Sequence, residues 1–218
     1  NIEFCYKFHS SNFMMHISHK AVAVVALTAA SLSVAEAAIV SFPYENTISY
    51  WGPSANQEYG EIFHAPQSHL IDYSFILSGT QPFSFVSQVF AWSGTSTLGS
   101  ALFTSSLQTI GTSNAVYNFV ADIDVVSGNQ YIALVTHQPN GQSLGGNGYA
   151  NMGHSLVPSS NGDGFAFRDL NNNWACQDGC GHAAFTANFS DGRSSVPEPG
   201  TLALLAIGLV GLGCSRRR

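Results

Sequence analysis

Ile71-Asp72-Tyr73-Ser74-Phe75-Ile76-Leu77-Ser78 sets apolar side chains at every second position, Ile71, Tyr73, Phe75 and Leu77, with Asp72, Ser74 and Ser78 between them. A period of two is the mark of a strand with one face on a core and the other in water. Tyr117, Phe119, Ala121, Ile123 and Val125 repeat it against Asn118, Asp122 and Asp124. Shorter runs rich in aromatic and β-branched residues lie at 83–92, 101–104, 131–136, 164–167 and 183–189, separated by turn-formers such as Ser127-Gly128-Asn129. Seven such runs with no amphipathic helix between them predict an all-β fold, an antiparallel β-sandwich of jelly-roll type. No alternation of strands with helices is visible, so a parallel sheet is not expected.

These runs fall within residues 38–195, a length that suits one domain with a sizeable core. Here the basic residues are Arg168 and Arg193, without a lysine, against ten acidic residues. Phosphate backbones are bound through basic patches, so this balance excludes nucleic acid as a partner. Ser, Thr, Asn and Gly make up much of the rest, as in secreted β-domains that stay soluble through hydroxyls and amides.

Both flanks differ from this domain. His16, His19 and Lys20 form a short basic segment, 21–34 an apolar one, and Ala35-Glu36-Ala37 a small-residue cleavage site, the order of a secretory signal peptide over 14–37. Met14 or Met15 is the expected start, with 1–13 an upstream extension, and Ala38 the expected mature N-terminus. At the other end Val196-Pro197-Glu198-Pro199 precedes an apolar segment over 201–214 and then Arg216, Arg217 and Arg218. The prolines break any helix at the motif. The apolar segment is expected to form a short hydrophobic helix, below the roughly 20 residues of an ordinary transmembrane helix. The arginines supply the flank that stays on the cytoplasmic side.

Motif, hydrophobic stretch and arginine cluster, in that order at 196–218, closely resemble the PEP-CTERM sorting signal of Gram-negative bacteria. The resemblance implies export through the inner membrane, transient membrane contact, and processing by an exosortase-type enzyme. The destination it implies is the cell surface, outer membrane or extracellular matrix, in company with exopolysaccharide. Residues 101–105 and 126–134 also resemble the strand, loop and strand of β-sandwich domains in other PEP-CTERM proteins, and bring no catalytic motif with them.

Within the domain, Cys176 and Cys180 are expected to form a local disulfide, because an exported protein meets an oxidising compartment. The alternative joins both thiolates to His182 and Asp178 as zinc ligands. Asp163, Asp169 and Asn171 are oxygen donors of the kind calcium takes, although Asx residues form turns for conformational reasons too, and no cofactor is expected. Gly153-His154-Ser155 is adjacency without a nucleophile context. Glu58 with Glu61, or Asp122 with Asp124, could pair for glycoside hydrolysis, but strand alternation already explains the second spacing. Sugar recognition on β-sandwiches uses aromatic faces with amides beside them, and the candidates are Tyr50, Trp51, Trp92, Tyr149, Asn171, Asn173 and Trp174. The expectation is a non-enzymatic surface or matrix protein associated with exopolysaccharide or biofilm and able to bind carbohydrate. The alternatives are a structural matrix component without a ligand and a secreted glycoside hydrolase.

Overall fold

The computed structural model describes residues 37–175 and 180–191. Its strands pair into two antiparallel sheets of seven strands each, the sandwich that the period-two runs predict. The first holds β1 (Ala38–Phe42), β2 (Asn46–Trp51), β4 (His69–Gly79), β8 (Ala115–Asp124), β10 (Ala150–Ser155), β13 (His182–Ala183) and β14 (Phe185–Ser190). The second holds β3 (Glu58–His64), β5 (Ser84–Trp92), β6 (Thr97–Thr104), β7 (Gln108–Thr109), β9 (Gln130–Thr136), β11 (Gly164–Arg168) and β12 (Trp174–Ala175). Among the described residues, helical structure is confined to a 3-10 turn at Pro139–Gly141, and no helix is long and apolar enough to cross a membrane. The expected extension over 1–13, the signal peptide up to residue 36 and the tail over 196–218 lie outside the described residues.

β4 follows its alternation with one departure. Tyr73, Phe75 and Leu77 are buried, but the inward place before them belongs to Leu70, while Ile71 is half-buried. The ladders explain the change of phase. Leu70 pairs with Phe189 and Asp72 with Asn188, so Ile71 is an extra residue in the ladder with β14, and a bulge switches which parity faces the core. On the other side Leu70 faces Ile123 and Asp72 faces Val120, and Asp122 takes a left-handed φ of 49° there.

The space between the sheets is filled mainly by aromatic rings. Phe63 stacks on Phe185 at 5.5 Å, Tyr73 lies 5.2 Å from Phe119, and Phe85 meets Tyr117 edge-on at 5.4 Å. Tyr73 is buried with its hydroxyl 2.7 Å from Ser87 Oγ, which donates in turn to the carbonyl of Leu134. β3 lies between β9 and β11 and is covered on both faces. Tyr59 and Phe63 join the main core, whereas Ile62 joins a smaller cluster with Trp92, Ile132, Leu134 and Ala166. Since neighbouring residues on a strand point to opposite faces, the smaller cluster occupies the outer face of the second sheet.

Candidate functional site

That outer face carries the most heterogeneous chemistry of the domain. β3 begins at Glu58, which pairs with Arg168 at the end of β11, and the Arg168 guanidinium donates to Glu58 Oε1 at 2.5 Å. Among the described residues Arg168 is the lone lysine or arginine, so the sheet's register brings the single strong cation onto a buried carboxylate. Burial pushes the Glu58 carboxyl above its usual range, against the pull of the Arg168 charge and the hydrogen bonds from Thr136 and Arg168. Arg168 also sits 6.0 Å from the centroid of Trp174, whose ring meets Trp92 edge-on at 5.1 Å.

Beside this pair opens a groove of about 390 Å³. Gln57, Gln88, Gln138, Asn140 and Asn172 bring amides to it, Thr97 a hydroxyl and Phe90 an aromatic ring. Gln138 and Asn140 follow β9 through the 3-10 turn, and Asn172 comes from the tight link between β11 and β12. Asp169 shapes that link by accepting the backbone N–H groups of Asn171 at 2.8 Å and Asn173 at 2.9 Å. These bonds, the one from Asn173 first, hold its carboxyl below the usual range. An Asx turn of this kind presents Asn172 at a left-handed φ of 65°.

The sequence candidates divide around this groove. Trp92 and Trp174 do come together, but Trp92 is only 5% exposed and packs into the outer cluster, so its ring is no open stacking face. Trp174 is half-buried against it. From the Asn-rich turn it is Asn172 that lines the groove, while Asn171 and Asn173 give their backbone N–H groups to Asp169. Tyr149 is elsewhere, 4.6 Å from the ring of the exposed Tyr50, and Trp51, at the same strand end, is no sugar platform because it is wholly buried in the main core. The oxygen donors considered for calcium are separated: Asp163 bonds His64 at 2.7 Å just before β11, and Asp169 lies just after it. Among the described residues no cluster of three His, Cys, Asp or Glu could hold a metal ion.

Neither carboxylate pair meets in a cleft. Glu58 and Glu61 are three residues apart on one strand and therefore face opposite ways, Glu61 wholly buried at 0% exposure. Asp122 and Asp124 share an exposed face as their spacing predicts, with the His69 imidazole between them at 2.9 and 3.0 Å. His154 turns its nitrogens to Asn46 and to the carbonyl of Cys180. His182 is drawn into the sandwich, 2.5 Å from Glu61 through Nδ1 and stacked on Phe42 at 3.6 Å. Cys176 and Asp178 lie outside the described residues, and Cys180 is half-buried against the main core. Gln57, Gln88, Gln138, Asn140 and Arg168 were not singled out as site residues from the sequence, and Glu58 was considered only as a partner for Glu61. The available signal was Arg168 itself, an isolated cation in an acidic domain.

β1 and β14 place the two ends of the domain side by side, with Ala38 opposite Phe189. Beyond that shared end, residues 195–218 match the PEP-CTERM protein-sorting motif. The chain ends in an exosortase sorting signal. This signal implies processing by an exosortase and export with membrane-associated sorting to the cell surface. No curated protein sequence matches the chain.

Proposed function

We propose that this exported, exosortase-sorted protein works at the surface or in the extracellular matrix by binding a carbohydrate, such as exopolysaccharide, in the groove beside Arg168. What supports the reading is the convergence there of several amides, a hydroxyl, an aromatic ring and one charge-neutralised ion pair. Amides and hydroxyls suit a ligand that offers many hydroxyl groups and little charge. Arg168 is already matched by Glu58, and the domain as a whole is strongly acidic, which favours neutral sugars over anionic polymers. The Cys176–Cys180 disulfide, in this reading, closes the loop that follows β12 in an oxidising environment.

Asn140 and Asn172 test the groove cleanly. Both are exposed and both have a left-handed φ, 55° and 65°, so glycine removes either side chain without straining the backbone. The double variant Asn140→Gly/Asn172→Gly is expected to keep its melting temperature and to lose most of its co-sedimentation with matrix polysaccharide from the producing cells. Parent protein that fails to co-sediment would leave the structural matrix role as the better account. The sorting signal has its own test. Replacing Pro197 and Pro199 by alanine is expected to leave the C-terminal segment uncut, seen as a heavier membrane-associated species on immunoblots.

A further inference from the structure

We infer that the sandwich is held to its carrier surface by one end, and that the rim of the groove is presented at the opposite end, away from that surface. The orientation follows from strand registers together with attachment through the sorting motif; only the nature of the partner, a polysaccharide arriving from outside, rests on the reading of the groove given above. At the held end the chain enters at Ala38 and leaves after Ser190, which pairs with His69 at the start of β4. The Ala38 N–H donates to Gln67 Oε1 at 3.0 Å, which fixes the first residue of β1 to the turn that precedes β4. The turn after β8 is bound to that same turn, with Val125 N–H on the carbonyl of Ser68 at 2.8 Å and Ser127 Oγ on that of Pro66 at 3.1 Å.

The groove rim is built from the other ends of the strands. β3 reaches the held end at His64, so Glu58 lies a strand length away, about 20 Å at 3.3 Å per residue. Arg168 and Thr136 pair with Glu58, and the segments that leave them carry Asn172 and Asn140. Five peptide steps separate Asp191 from Val196, the first residue of the sorting motif, and they span at most about 18 Å. The link is thus shorter than the strand between the held end and the rim. A domain attached through the motif keeps the turns over 65–68 and 125–129 near the carrier surface, whatever the tilt of the sandwich. A polysaccharide strand reaching the rim meets no such obstruction.

Single cysteines in the full chain, displayed on the producing cells, read this out. Gln142→Cys lies in the exposed segment beside Asn140 and has an ordinary φ of −99°, and Val126→Cys lies in the turn at the held end, where the side chain is 60% exposed. Labelling with a maleimide carrying a bulky polymer is compared on intact cells and on detergent-released protein, with the unsubstituted chain as background. The expected result is labelling several-fold faster at Gln142→Cys than at Val126→Cys on cells, and similar rates after release. Equal rates on cells, or a faster reaction at Val126→Cys, would overturn the orientation. Polysaccharide binding by the released parent is measured separately, so its absence would count against the groove's ligand and leave the orientation standing.

Discussion

Replacing Glu61 by alanine is expected to lower stability by about 3–5 kcal/mol, a large part of the 5–15 kcal/mol that a domain commands. Glu61 is at 0% exposure on β3, and its two oxygens bind His182 Nδ1 at 2.5 Å and the N–H of Ala183 at 2.8 Å, both on the opposite sheet. The carboxylate thus joins the two sheets from inside. Its removal leaves a buried imidazole nitrogen without its partner and a buried backbone N–H without an acceptor, together with a void. Thermal unfolding followed by circular dichroism should show a fall of roughly 6–20 °C, on the scale of 2–4 °C per kcal/mol for a domain of this size. Glu61→Gln keeps the shape and one acceptor, and its loss should be smaller.

The same residue sets a pH dependence. Burial raises the Glu61 carboxyl to about 7, above its ordinary 4.5. Between those values the folded state binds more protons than the unfolded one, so this contribution is full below about 4.5 and is lost as pH rises through about 7. His69 has the same sign: the hydrogen bonds it gives, that to Asp124 first, raise it above 6.5, and its contribution is also lost at higher pH. The raised Glu58 adds to the same sign, whereas His137, which burial holds below 6.5, opposes the slope below that pH, and the depressed Asp169 opposes it only below about 4. The parent should therefore melt at a higher temperature at pH 5 than at pH 8, and Glu61→Gln should flatten most of that slope. A melting temperature that rises across this window would contradict the protonated carboxyl.

Alternation made β4 and β8, with one wet face each, legible in the sequence, and short aromatic and β-branched runs made β5 and β9 legible although they are covered on both faces. β4 and β8 were read directly, apart from the phase switch at Ile71, which a bulge produces and no local pattern announces. β3 was missed for the complementary reason. Its residues EYGEIFH are covered on both faces, and it places a paired carboxylate on one and a buried one on the other, so no period of two remains. The groove was hidden by the same circumstance. Glu58 and Arg168 are 110 residues apart and meet only through the β3–β11 register. Trp92 and Trp174 were identifiable as aromatic candidates, but whether a ring faces water or a second apolar cluster depends on neighbours contributed by β3, β9 and β11. The sorting signal, by contrast, is a linear motif and needs no fold to be recognised.

Gly60 should also be intolerant of a side chain, for a steric reason. It sits in the middle of β3 opposite Leu134 on β9 and Ala166 on β11, so the strand is clamped from both sides. A Cβ built there would lie 2.4 Å from the carbonyl oxygen of Ala133 and 2.9 Å from Leu134 Cβ, and backbone cannot swing aside as a flexible side chain can. Gly60→Ala must therefore push β3 away from β9, at a cost of about 1–3 kcal/mol or more for overpacking. The displacement acts on both neighbours of functional interest, since Glu58 and Glu61 ride on the same strand within two residues of Gly60. Gly60→Ala is accordingly expected to melt well below the parent. Gly111 provides the control: its φ is ordinary and the nearest atom to an added Cβ is Tyr117 Oη at 3.9 Å. Gly111→Ala should be neutral or slightly stabilising, by up to about 1 kcal/mol through the unfolded chain. If Gly60→Ala and Gly111→Ala melted alike, the close approach of β3 to β9 would be wrong.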